Sequence, residues 1–223
     1  MIPWLNLDTG QIPGGGELRL KRRGAEFSIR LGNNELMNSR LSGSEEALAT
    51  LTADRLKDRR APHVLIGGLG MGFTLKAALG AFDAQARITV AELVPAVIAW
   101  AHGPMAELFG DSLADPRVTI AEADVRDLIA SAKAGYDAIL LDVDNGPEAM
   151  TRPSNDRLYD MQGLALSLAA LKPGGILAVW SMGPDAQFTQ RLRKAGFGVE
   201  EIGVRAHRGK SGTRHVIWLA KRK

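Results

Sequence analysis

A chain of 223 residues is long enough for one well-buried domain with a small appendage. Its 45% hydrophobic and 24% charged residues are ordinary for a globular protein, and the lack of cysteine excludes disulfides, thiolate nucleophiles and thiolate metal sites. The net charge of +3, from 28 Lys and Arg against 25 Asp and Glu, is too small to imply a polyanionic partner by itself.

The first residues, Met1-Ile-Pro-Trp-Leu-Asn-Leu-Asp8, lack the basic start and apolar core of a secretory signal. Neither end carries the roughly 18–20 apolar residues that cross a bilayer, so the expectation is a cytoplasmic protein with no membrane partner. Pro13-Gly-Gly-Gly16 is a breaker, and Glu17 to Leu20 then alternates polar with apolar residues. Turns at Arg23-Gly24 and Gly32-Asn33-Asn34 separate the short runs Glu26 to Leu31 and Glu35 to Ser39. This pattern predicts a small β-meander over residues 1–43, ahead of a larger domain over 44–223. Ser44-Glu-Glu-Ala-Leu-Ala-Thr-Leu reads as a helix start. Ser44 is placed to cap it, Glu45 and Glu46 suit the positive end of its dipole, and Leu48, Leu51 and Leu56 fall near one face.

From His63 onward strands and helices alternate. Strands are predicted at Val64–Ile66, Arg87–Ala91, Val118–Ala121, Ala138–Leu141 and Ile176–Trp180, with helices at Phe73–Leu79, Pro95–Leu108, Arg126–Ala132 and Leu158–Leu171. Repeated β-α units predict an α/β fold with a parallel sheet covered on both faces. Gly198 to Arg205 and Thr213 to Ala220 are strand-like and read as a terminal antiparallel hairpin.

Ligands of open parallel sheets bind beyond the carboxyl ends of the strands. Four features fall there. Val64-Leu-Ile-Gly-Gly-Leu-Gly-Met-Gly72 ends in four glycines within six residues, a turn whose backbone can approach a ligand closely. Glu92, closing the next strand, suits both hydroxyls of a ribose; otherwise it is an exposed acid opening a loop. Asp124, with the amides beside it, suits an adenine amine, or caps the helix that follows. Asp142-Val-Asp-Asn145-Gly-Pro147 crowds two carboxylates and an amide at the sheet's mouth, where they can hold a cationic amine and accept its proton. The bland alternative for this last segment is a plain turn.

The stretch from Pro62 to Trp180 resembles the class I methyltransferase fold, and within it most closely the spermidine synthases. The residues that carry the resemblance are Ile66-Gly-Gly68, Asp115-Pro-Arg-Val118, Tyr136-Asp137, Gly146-Pro147, Leu158-Tyr159 and Leu171-Lys-Pro-Gly-Gly-Ile176. The resemblance implies a Rossmann-like, seven-stranded, mostly parallel sheet whose last strand runs antiparallel. It implies S-adenosylmethionine, its decarboxylated form or the thioether product as ligand. Gly68, Gly70 and Gly72 would border that ligand, Glu92 would hold its ribose, and Asp124 with Val125 would face the adenine. Asp142 matches the acid that receives the amine in aminopropyl transfer, with Asp144 and Asn145 shaping its pocket and Tyr159 lining it. The chain departs from the family at three points. The glycine turn holds Gly70 and Met71 where the family has an aspartate, Asn145 stands where a second aspartate is usual, and Leu41-Ser-Gly-Ser-Glu-Glu46 replaces a Tyr-His-Glu run.

The sequence-level expectation is therefore a transferase moving a methyl or aminopropyl group to a small amine, with the missing acids tilting it towards methyl. A homodimer is the assembly the family suggests. Basic clusters at Arg19 to Arg23, Arg55 to Arg60, Arg191 to Lys194, Arg205 to Lys210 and Lys221 to Lys223 keep an RNA methyltransferase as an alternative. A non-catalytic nucleoside-binding paralogue is another. Gly209-Lys210-Ser211 lacks the spacing of a phosphate-binding loop. The four histidines, His63, His102, His207 and His215, show no ligand spacing, so no metal is expected.

Overall fold

The structure, a computed structural model, describes residues 2–143, 157–206 and 213–223. Four short strands, β1 (Leu5–Gln11), β2 (Glu17–Arg23), β3 (Glu26–Leu31) and β4 (Asn34–Asn38), form an antiparallel meander in chain order. The sequence patterning misses β1. Its residues are almost all exposed and its register slips between Asn6 and Asp8, so no clean alternation survives. Its ladder with β2 is joined by a side-chain bond to the larger domain: Trp100 Nε1 donates to Asp8 Oδ2 at 2.7 Å.

The second sheet has seven strands: β5 (His63–Gly67), β6 (Arg87–Glu92), β7 (Val118–Glu122), β8 (Tyr136–Leu141), β9 (Leu171–Ser181), β10 (Phe197–Arg205) and β11 (Arg214–Arg222). Their order is β10-β11-β9-β8-β5-β6-β7, and β11 alone runs against the direction of the other six. Among the described residues the sheet is flanked by α1 (Gly43–Arg55), α2 (Phe73–Ala81), α3 (Pro95–His102), α4 (Ala106–Phe109), α5 (Val125–Ser131), α6 (Met161–Ala170) and α7 (Ala186–Lys194). The expected helix over Pro95–Leu108 is thus two. Gly103 ends α3, and Pro104 after it disfavours helical geometry at Gly103 and has no N–H to continue the ladder.

Side chains alternate across the sheet, yet both faces are apolar. Val64, Ile66, Val90 and Leu140 pack with α1, α2, α3 and the meander, whereas Leu65, Ile139, Leu177 and Trp218 pack with α5, α6 and α7. That double cover explains why β8 is buried at all six positions and why its last four residues, Ala138 to Leu141, are all apolar. At its start Asp137 accepts from His63 N (2.9 Å) and Lys172 Nζ (2.6 Å), tying three strand ends together far from the glycine turn. Asp115 likewise serves structure. Arg117 donates to it from Nε (3.0 Å) and Nη2 (2.9 Å) and holds its carboxyl down at about 2.

Ser44 does not cap α1. The cap position is Ser42, whose hydroxyl donates to Glu46 Oε1 at 2.9 Å, while Ser44 lies inside the first turn and is fully buried. Starting the helix two residues earlier turns the Ser44 side chain inward.

Candidate active site

The chain runs outward from β5 through β6 to β7, then returns to place β8 on the other side of β5. The carboxyl ends of β5 and β8 therefore flank the reversal point, where open α/β sheets bind ligands. Asp142 N donates to Gly67 O (3.0 Å), and Gly68 N donates to Ala91 O (2.8 Å). Gly68 adopts φ +89°, and a Cβ there would lie 2.5 Å from the Asp142 carbonyl oxygen. Only glycine fits between the two strand ends.

Glu92 organises the turn beyond. Its Oε2 accepts from Leu69 N (2.9 Å) and its Oε1 from Val94 N (2.8 Å), so one carboxylate fixes the glycine turn and the turn opening α3. It is buried rather than an exposed loop acid, and burial raises its pKa against the pull of those amides. Glu92→Gln leaves one amide facing an NH₂ that cannot accept. The expected outcome is a loss of about 1–3 kcal/mol, read as a lower Tm, and an unchanged Tm would show the clamp to be unimportant.

Asp124 caps α5 by accepting from Arg126 N at 2.8 Å, yet it also lines the cleft with Val125, so both of its sequence readings fall on one side chain. Gly68, Gly70, Glu92 and Asp142 line the same cleft, which opens to solvent beyond the strand ends. The meander supplies the roof through Ile29, Leu36 and Met37. Gly72 stands apart from the cleft lining. It is the residue before α2, at φ +78°, and its bare Cα makes room for Phe109. Tyr159 is buried and packs edge-on against Phe188 (5.6 Å) instead of lining the cleft, whereas its neighbour Leu158 does line it. Asp144 and Asn145 lie outside the described residues.

A second cavity of about 620 Å³ adjoins the first, lined by Glu45, Met71, Phe73 and Trp180. Asp142, Gly70, Leu36 and Met37 line both. Thr74 Oγ1 donates to Asp142 Oδ2 at 2.6 Å. Asp142 opens onto the cleft on one side, but the protein crowds its carboxyl, and burial pushes the pKa up to about 7. The Glu45 carboxylate adds to that rise, and the Thr74 hydroxyl opposes it. Burial raises the Glu45 pKa too. Among the described residues no cluster of three metal-ligating side chains forms.

Glu45, Thr74 and Trp180 escape sequence reasoning for identifiable reasons. Glu45 reads as a dipole partner in a first helical turn, Thr74 as a plain helix residue, and Trp180 as the end of an apolar strand. Glu45 had a usable signal, because it falls in the segment replacing the Tyr-His-Glu run.

The strand order, the antiparallel β11 and the glycine turn beside acidic strand ends define a class I methyltransferase-like fold of the spermidine synthase type. Known proteins bear this out. The spermidine synthase of Thermotoga maritima superposes with a TM-score of 0.75 at 17% identity, covering 98% of this chain and 72% of that one. A spermidine synthase solved in complex with the transition-state analogue AdoDATO gives 0.76 at 18% identity, with the same coverage. In sequence, the polyamine aminopropyltransferase of Mycobacterium tuberculosis is 31% identical over 153 residues, which is 65% of this chain and 28% of that protein. The chain thus spans little over a quarter of that curated relative's length. No family model matches the chain.

Proposed function

We propose that the chain transfers an aminopropyl group from decarboxylated S-adenosylmethionine to an aliphatic amine. One observation carries this reading. Asp142 stands where two cavities meet, with a second, half-buried carboxylate, Glu45, close enough to raise its pKa. Two acids that repel one another gain from a cation between them, and the walls around them are apolar or aromatic (Leu36, Met37, Phe73 and Trp180). A carbon chain ending in an ammonium fits that combination. The acid absent from the glycine turn is thereby matched by one from α1.

The first cavity fits the nucleoside donor. Gly70 has no side chain to block the junction of the cavities, Glu92 offers lone pairs to a ribose, and Asp124 and Val125 stand beyond it. When bound, such a donor supplies a carbon made electrophilic by the adjacent positive sulfur. Asp142 orients the acceptor nitrogen towards the junction, the Asp142–Glu45 pair takes up the proton it must lose, and the meander's apolar roof excludes water. A donor that keeps its α-carboxylate meets repulsion from both acids. The same pair therefore supports the decarboxylated donor over methyl transfer.

The RNA reading gains less. Arg19, Arg22, Arg23, Arg55 and Arg59 each pair with a carboxylate, which removes much of the free positive charge from two of the basic clusters. The test is calorimetric titration with S-adenosylmethionine, its decarboxylated form and methylthioadenosine, then turnover with a linear diamine. Decarboxylated donor and thioether are expected to bind at least about tenfold more tightly than S-adenosylmethionine. Preference for S-adenosylmethionine would move the reading to methyl transfer. No binding of any of the three would end it.

A further inference from the structure

Thr74 stands behind Asp142 rather than in either cavity. It is the second residue of α2, only 3% exposed, and it lines neither cavity. Its hydroxyl meets two acceptors: Asp142 Oδ2 at 2.6 Å, and at 3.3 Å the carbonyl oxygen of Glu45 in the first turn of α1. One side chain thus touches both residues that bring acids to the second cavity. The hydroxyl has a single hydrogen, and the shorter contact, to the oxygen that carries charge, claims it. Among the described residues Asp142 Oδ1 makes no hydrogen bond, and Asp142 lines both cavities. The protein therefore holds one carboxyl oxygen and leaves the other for a ligand. Threonine suits this task, because its branched Cβ restricts rotation and its burial keeps water from competing for the hydroxyl.

We infer that Thr74 is a positioning residue for the proposed transfer, fixing the Asp142 carboxyl so that Oδ1 faces the acceptor nitrogen. The inference rests on the transfer reading. An acceptor nitrogen must aim its lone pair at the donor carbon, and a carboxylate free to turn would offer its charge in more than one direction. The same bond keeps Asp142 able to act. Burial and the Glu45 charge both favour the neutral acid, whereas the Thr74 hydroxyl, a better partner for a carboxylate than for a carboxylic acid, favours the ionised form. Without it Asp142 stays protonated over more of the neutral range and cannot take a hydrogen from the amine. The other charged groups of the elements around Asp142 are engaged elsewhere. On α2, Lys76 Nζ donates to Leu108 O (2.8 Å). On α1, Glu46 accepts from Ser42 Oγ (2.9 Å), and Glu45 Oε2 accepts from Ser44 Oγ (2.7 Å), which His215 Nδ1 of β11 meets at 2.9 Å. Each acid of the pair thus has a hydroxyl of its own, Ser44 for Glu45 and Thr74 for Asp142.

Two measurements test this. The first needs no ligand: in carbon-13 NMR of the wild type, the Thr74 Cβ resonance should titrate with the same midpoint as the Asp142 carboxyl carbon, at about 7. A Thr74 resonance unmoved through that titration overturns the inference without any variant. Thr74→Val keeps the shape and removes the hydroxyl, and it should raise the Asp142 midpoint by about one pH unit. Thr74→Ser should return it most of the way. The second measurement is turnover with the decarboxylated donor and a diamine across pH. Thr74→Val is expected to lower kcat at pH 7 by roughly 10-fold, with the donor's KM little changed and the acid limb moved upward with the midpoint. Thr74→Ser should recover both. A threonine needed only for packing would lower the melting temperature and move neither midpoint nor limb. An active Thr74→Val protein with the wild-type limb therefore sinks the inference alone. A wild type inactive with every donor and amine sinks the transfer reading, and the part of Thr74 in it.

Discussion

Asp142→Asn is expected to lower kcat by roughly 10²–10⁴-fold while leaving methylthioadenosine affinity nearly unchanged. The amide keeps the side chain's shape and can still accept from the Thr74 hydroxyl, so neither cavity changes form. What disappears is the charge that, in the proposed transfer, orients the acceptor and draws off its proton. The pH dependence follows from the raised carboxyl: wild-type activity should fall as pH drops through about 7, where Asp142 protonates. Because the Glu45 charge contributes to that rise, Glu45→Gln should move the acid limb to lower pH while weakening the acceptor's binding. A limb that stays in place would separate the two acids.

Asp142→Asn has the opposite sign for stability. A carboxyl whose folded pKa lies above its unfolded value of 3.8 favours the fold when protonated, and that contribution is lost as pH rises from about 4 through about 7. At pH 8 the wild type therefore holds a charge that destabilises it, by an upper bound of about 4 kcal/mol. Asp142→Asn should melt higher than wild type at pH 8, and the difference should shrink towards pH 4. Weakening of the fold by Asp142 at pH 8 is what its proposed catalytic role leads one to expect. If the variant melts lower than wild type at both pH values, Asp142 is a structural acid and the assignment fails.

Much of this site was legible because its parts are local. The glycines follow an apolar run, and Glu92, Asp124 and Asp142 each close a strand whose end the pattern marks to within one or two residues. The sheet's composition follows from the same alternation, since β-α units fix a parallel sheet and the final hairpin fixes the antiparallel strand. What stayed hidden depends on contacts distant in sequence. Glu45 faces Asp142 only after α1 packs beside α2, and His215 reaches Ser44 across 171 positions of chain. The roof was illegible for another reason. Met37 and Leu36 look like ordinary meander residues until the small sheet lies over the cleft. Gly72 shows a second demand on the same pattern, because this glycine also serves a helix start and makes room for the Phe109 ring.

Gly68→Ala is expected to destabilise the protein by more than about 3 kcal/mol and to remove the transfer activity of whatever remains folded. Alanine is strained at φ +89°, and its Cβ would lie 2.5 Å from a backbone carbonyl that has no flexible end to swing away. Relief requires the ends of β5 and β8 to part. That parting breaks the Asp142 N to Gly67 O bond and carries the Asp142 carboxyl away from Thr74 and Glu45. Losing its neighbours also removes the setting that raises its pKa to about 7. Gly80→Ala is the control. Gly80 lies inside α2 with open space where a Cβ would go, and alanine there should stabilise the helix by about 0.5–1 kcal/mol. Thermal melts of both variants, with calorimetric titration of methylthioadenosine, separate strain at the strand junction from a general intolerance of added bulk. A Gly68→Ala protein that melts and turns over like wild type would mean that the junction of β5 and β8 does not hold Asp142 in place.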